Sequence, residues 1–210
     1  MIVFQSHKHL AHAAIAGFTA LVLAACASGS APAPVADPAA GSTSAPTGPA
    51  TYSNEEVVEA VSDFFGVTAE ASASALERVF SDLGRPVGYI TGEEVAGAAG
   101  IGLRYGEGYL TLRSQSEPVK VYWQGPSVGF DAGGNAARTF TLVYNLNDVD
   151  RLYQRFPGVE GTAYFVAGLG VNYQRADGIT LAPIRSGVGL RAGANVGYLA
   201  YSRQRNWLPF

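Results

Sequence analysis

The chain has 210 residues, 48% of them hydrophobic and 15% charged, with a formal net charge of −3 and one cysteine. A mildly acidic chain argues against nucleic acid as a partner, and one cysteine allows no disulfide within it. His7, His9 and His12 all lie near the start, so the rest of the chain has no imidazole for a triad or a typical zinc site, and neither metal nor cofactor is expected.

Residues 1–25 read as a leader. Lys8, with His7 and His9, precedes an apolar run from Ala13 to Ala25 that only Thr19 interrupts. The run falls short of the roughly 20 residues that cross a bilayer as a helix, and fits a signal-peptide core with small residues before the cut. Leu23-Ala24-Ala25-Cys26 closes it with the sole cysteine in lipobox position. The expectation is cleavage before Cys26 and acylation of its thiol, giving a lipoprotein held to a membrane on the periplasmic side of the envelope. Each buried methylene of such an anchor contributes about 0.8 kcal/mol, and two or more chains make it stable. Ala27 follows the cysteine where an Asp would favour inner-membrane retention, which points to the outer membrane.

Apart from Cys26 and Val35, residues 26–50 are Ala, Pro, Gly, Ser and Thr with Asp37 the one charge. Five prolines forbid helix, and the segment reads as a tether reaching roughly 27 Å as a coil. Residues 51–86 form a helical segment. Ser53-Asn54-Glu55-Glu56 is a capping box, and Val57, Val58, Val61, Phe64 and Phe65 recur at helical spacing. A second helix is expected over about Ala69–Leu83, with Leu76, Val79, Phe80 and Leu83 as its stripe and Gly84 and Pro86 as its stop.

From residue 87 to 210 the period changes to two. Strands are expected at about 87–91, 94–105, 108–114, 119–124, 127–132, 137–146, 160–175, 179–185 and 187–202, with a hairpin turn at Gly106-Glu107-Gly108. One short helix is expected over Asp148–Phe156, capped by Asn147 and ended by Pro157-Gly158. The fold class is then mainly β: a small closed antiparallel barrel of about 8–10 strands with two N-terminal helices and one inserted helix. Gly100/Gly102, Gly168/Gly170 and Gly187/Gly189, spaced by two, place glycines on one strand face, where strong coiling or close approach requires them.

Residues suited to catalysis are few. Asp148, Asp150 and Glu160 lack the spacing of a cation loop, and both aspartates suit a helix's first turn. Glu93-Glu94 follows Gly92 and reads as a solvated turn. Gly129 to Asn135 is glycine-rich without the Lys-Ser/Thr of a phosphate loop. Arg104 and Arg191 fall on glycine faces, with Asp131 a candidate partner. Paired, they are structural; free and inward, they would bind an anionic head group. Both alternatives stay open.

The segments Gly125–Ala136, Thr141–Leu146, Tyr153–Gly161, Gly170–Tyr173, Leu181–Arg185 and Gly193–Tyr198, with the terminal Trp207-Leu208-Pro209-Phe210, resemble the envelope integrity protein A family of alphaproteobacteria over about residues 76–210. The resemblance implies a small soluble periplasmic β-barrel that supports envelope integrity, with no catalytic residues to carry over. Usual members carry a plain cleavable signal, whereas this chain has a lipobox. Gly125 to Leu152 is also faintly similar to SYLF lipid-binding domains, which would imply contact with acidic lipids.

The expectation is a non-enzymatic, lipid-anchored periplasmic barrel that binds an envelope polymer, lipid or protein. The alternatives are a barrel holding a lipid or other amphiphile in its interior, a hydrolase using two of Glu107, Glu117, Asp131, Glu160 and Asp177, and an integral outer-membrane barrel. Pro209 and the charged strand faces argue against the last.

Overall fold

The computed structural model describes residues 49–99, 101–127, 135–159, 161–186 and 197–206. Helix α1 spans Asn54–Phe65, and the expected capping box starts it. The Ser53 hydroxyl accepts from the Glu56 N–H at 3.2 Å, while the Glu56 carboxylate accepts from the Ser53 N–H at 2.8 Å. Gly66, in the left-handed region at φ 68°, ends the helix. Helix α2 spans Ala69–Leu83, as its stripe predicts, with Thr68 as N-cap. Among the described residues no helix is long and apolar enough to cross a membrane.

The strands are β1 (Gly88–Ala99), β2 (Ile101–Leu112), β3 (Val119–Ser127), β4 (Asn135–Tyr144), β5 (Arg155–Pro157), β6 (Tyr164–Val166), β7 (Leu169–Val171), β8 (Gln174–Ala176), β9 (Ile179–Ser186) and β10 (Tyr198–Ser202). Nine follow one another in a curled antiparallel sheet, in the order β5-β10-β3-β2-β1-β4-β9-β7-β6, and β8 pairs with β9. The two faces bury different sets of side chains. One face, with Phe140, Leu142, Tyr144, Leu169 and Ile184, receives Val57 and Val61 of α1 and Leu76 and Val79 of α2. The other face is the one the sheet curls around, and it encloses Ile90, Leu110, Val121, Trp123, Phe156, Leu181 and Tyr201. This alternation is the period of two made physical.

Several expectations are corrected. The sheet is a curled half-barrel, not a closed barrel. The expected strand over 160–175 breaks into β6, β7 and β8. Ala167 (φ 52°) and Gly168 (φ 83°) form a two-residue hairpin turn between β6 and β7, and Asp177 (φ 47°) and Gly178 (φ 79°) form another between β8 and β9. No continuous ladder then joins the path's ends among the described residues. One bridge, Gly158 to Gln174, and a bond from Val159 N–H to the Tyr173 carbonyl at 2.8 Å approach across the gap. Gly168 therefore lies in a turn, off any strand face.

The inserted helix reduces to a single 3-10 turn, Val149–Leu152, capped by Asp148 in place of Asn147. Its would-be second half is recruited by the sheet: the Gln154 carbonyl accepts from Tyr201 N–H, and Phe156 pairs with Leu199. Gly106-Glu107-Gly108 is no turn. It sits in the middle of β2, opposite Glu94, Glu93 and Gly92 of β1 and Trp123, Tyr122 and Val121 of β3. These glycines serve close approach: a Cβ on Gly106 would overlap the Trp123 indole. The strand expected at 127–132 lies outside the described residues apart from Ser127. Of that expected at 187–202, the described part is β10 and Gly197.

Candidate functional site

Residues Ile90, Gly92 and Glu94 of β1 share the enclosed face, because side chains alternate along a strand. Glu94 is consequently buried at 3% exposure, not solvated in a turn. Its carboxylate sits 3.0 Å from Arg185 Nε on β9 and 3.2 Å from Arg104 Nε on β2, and accepts from the Trp123 indole N–H at 2.9 Å. Arg185 also donates to the Asn172 side-chain oxygen at 2.9 Å. Burial by itself pushes the Glu94 carboxyl up. Arg185, then Arg104, then the bonds from Trp123 and Arg185 outweigh it and hold the carboxyl below its ordinary value. This cluster ties β1, β2, β3 and β9 together from inside the curl.

Of the arginines singled out from sequence, Arg104 is thus in an ion pair with Glu94. Arg191 and the candidate partner Asp131 lie outside the described residues, as do Cys26 and Glu160. Sequence reasoning missed Glu94 and Arg185 as members of this cluster. The signal was there in each case: a charged residue in the inward register of its strand, Glu94 with Ile90 and Arg185 with Ile179 and Leu181.

The opposite, outward face of β1–β3 carries a groove of about 260 Å³. Val95, Tyr105 and Tyr122 give it apolar walls, Trp123 and Gly106 form its floor, and Glu93, Glu107, Gln124, Arg205 and Asn206 rim it. Val95 is 53% exposed and nearby Tyr109 is 51% exposed. Glu107 accepts a hydrogen bond from Arg205 and lies 3.6 Å from Lys120 Nζ. The bond from Arg205, more than the nearby Lys120 charge, holds the Glu107 carboxyl below its ordinary value. The Lys120 ammonium stands 4.7 Å from the Tyr109 ring centre and 5.5 Å from that of Tyr122. Trp123 touches both features: its indole, buried on the enclosed face, donates to Glu94, and the residue also lines the groove.

The model of the envelope integrity protein A family matches residues 50–210. The chain belongs to that family. A crystal structure of a β-barrel-like, uncharacterized protein from Brucella abortus is 49% identical in sequence, with a TM-score of 0.69, covering 76% of this chain and 99% of that one. No curated protein matches the chain. The family ties the chain to the integrity of the cell envelope, and it is not a known enzyme family.

The remaining acids are occupied structurally or lie apart. Asp148 caps the 3-10 turn, and Asp150 pairs with Arg203. Asp177 sits in a hairpin turn, and Glu107 is held by Arg205 and Lys120. Among the described residues no three His, Cys, Asp or Glu side chains gather as metal ligands.

Proposed function

We propose that the protein is a non-enzymatic, lipid-anchored protein of the periplasmic side of the envelope, held at the outer membrane by acylated Cys26. It supports envelope integrity by binding an envelope component in the groove on β1–β3. The observation that carries the binding part is the location of open space. Among the described residues the enclosed face is packed with the protein's own side chains around the Glu94 cluster, whereas the outward face presents an aromatic groove with a polar rim. That composition, mostly apolar with a few placed polar groups, is typical of ligand sites. The lipobox and the Pro-rich tether support the anchoring part, since together they would hold the folded residues near a membrane but off its surface.

The test is complementation of cells lacking the gene, scored as growth in the presence of a bile-salt detergent. Wild type should restore resistance. Cys26→Ser and Tyr105→Ala/Tyr122→Ala should both fail to restore it at equal protein levels. Full resistance with Cys26→Ser would remove the anchored reading, and full resistance with the double tyrosine variant would remove the groove reading.

A further inference from the structure

We propose that the groove on β1–β3 takes a neutral glycan, with the rings of Tyr105 and Tyr122 packing on sugar faces and Glu93 and Asn206 bonding to hydroxyls. The inference rests on the groove reading above and names its ligand class. Strands β1, β2 and β3 are each paired on both sides. At the residues that line the groove both sides of each strand are paired, so an incoming peptide cannot add a strand at that point, and recognition falls to side chains.

The charges at the groove have partners of opposite sign: Glu107 accepts from Arg205 and lies 3.6 Å from Lys120, and Glu93 stands opposite Arg138 in the β1–β4 register. An anionic head group or a polycation therefore gains no net attraction. An acyl chain fits poorly for another reason. It would strip water from the Glu93 carboxylate and from the Asn206 amide without replacing their hydrogen bonds, and unpaired polar groups are costly to bury. A sugar ring meets both demands: its C–H faces cover aromatic rings and its equatorial hydroxyls pair with carboxylate and amide groups at the rim. The volume of about 260 Å³ lies just below the roughly 300–1,000 Å³ of ligand pockets, which suits a short glycan segment. Exposed Tyr109, two residues beyond Glu107 on the same face of β2, extends the aromatic surface along the strand.

Trp123 in the floor supplies the readout. Full-length acylated protein in lipid nanodiscs is titrated with a panel of neutral tetrasaccharides of glucose, mannose, galactose and N-acetylglucosamine, following tryptophan fluorescence and heat. At least one should bind saturably at sub-millimolar concentration. Tyr105→Ala/Tyr122→Ala should weaken it by about tenfold or more, and Tyr105→Phe/Tyr122→Phe, which keeps the rings, should stay within about threefold. Circular dichroism and unfolding temperature of both variants should match wild type. The glycan assignment is overturned by no saturable binding across the panel at millimolar concentration. Binding that the alanine pair leaves unchanged, or saturable binding of short-chain phosphatidylglycerol in place of any sugar, overturns it equally. If the alanine pair loses detergent resistance while no sugar binds, the groove reading stands and the glycan falls. If it keeps resistance, the groove reading itself falls.

Discussion

Glu94→Gln removes one charge from the cluster at almost constant volume, and it should cost about 3–5 kcal/mol, the range for taking one partner from a buried ion pair. The Glu94 side chain is 4% exposed, and its partners Arg185 and Arg104 are 5% and 15% exposed. The glutamine oxygen can still accept from the Trp123 indole, so packing hardly changes. What is lost is a carboxylate shared by two guanidinium groups whose side chains are 5% and 15% exposed. Against a typical total of ~5–15 kcal/mol this is a large share. At about 2–4 °C per kcal/mol for a domain of this size, the unfolding temperature should fall by about 6–20 °C at neutral pH, read by far-UV circular dichroism. Glu94→Asp, which keeps the charge at shorter reach, should lose less than half as much. The carboxyl is held below its ordinary value of 4.5 in the folded protein. Its contribution is therefore complete above pH 4.5 and drains away as pH falls below that toward the folded value. The gap between wild type and Glu94→Gln should narrow over the same acid window. A Glu94→Gln protein melting within about 2 °C of wild type would refute the reasoning, because it would mean the arginines are satisfied by solvent.

Gly106→Ala should destabilise by about 1–3 kcal/mol or more, since its Cβ would overlap an indole that Glu94 and the core hold in place; unchanged unfolding and unchanged tryptophan emission would contradict this. On the alkaline side, burial pushes Tyr164 up to about 12 and moves Tyr144, Tyr173 and Tyr201 above the ordinary 10.0 as well. These groups stay neutral when folded and ionise when unfolded, so stability should be complete below pH 10 and decline as pH rises above it. Spectrophotometric titration should show part of the 11 tyrosines ionising only on unfolding, and a single midpoint near pH 10 for all of them would sink the account.

The helices were legible because their signals are local. A capping box, an apolar stripe and a terminal glycine specify α1 and α2 within a few residues of chain. The strand centres were legible from alternation. What was not legible were features that depend on a neighbour far along the chain. Gly106 and Gly108 read as a turn because glycine marks both turns and close approach, and only the register against Trp123 tells them apart. Glu94 read as solvated because a carboxylate beside another after a glycine is usually so, and its arginines lie on other strands. Val149, Leu152, Tyr153 and Phe156 have helical spacing, but β10 claims the Gln154 carbonyl and Phe156. Barrel closure was expected from strand number, whereas the strand expected over 160–175 is divided by the Ala167-Gly168 turn and by the break at Asn172-Tyr173 into β6, β7 and β8.

The proposed function depends first on Cys26. Cells expressing wild type and Cys26→Ser are grown with a labelled fatty acid and fractionated. The account predicts label on the wild-type protein in the outer-membrane fraction, and an unlabelled Cys26→Ser protein that is released with the soluble periplasm. Wild-type protein without label, or a Cys26→Ser protein still embedded in the membrane, would contradict it.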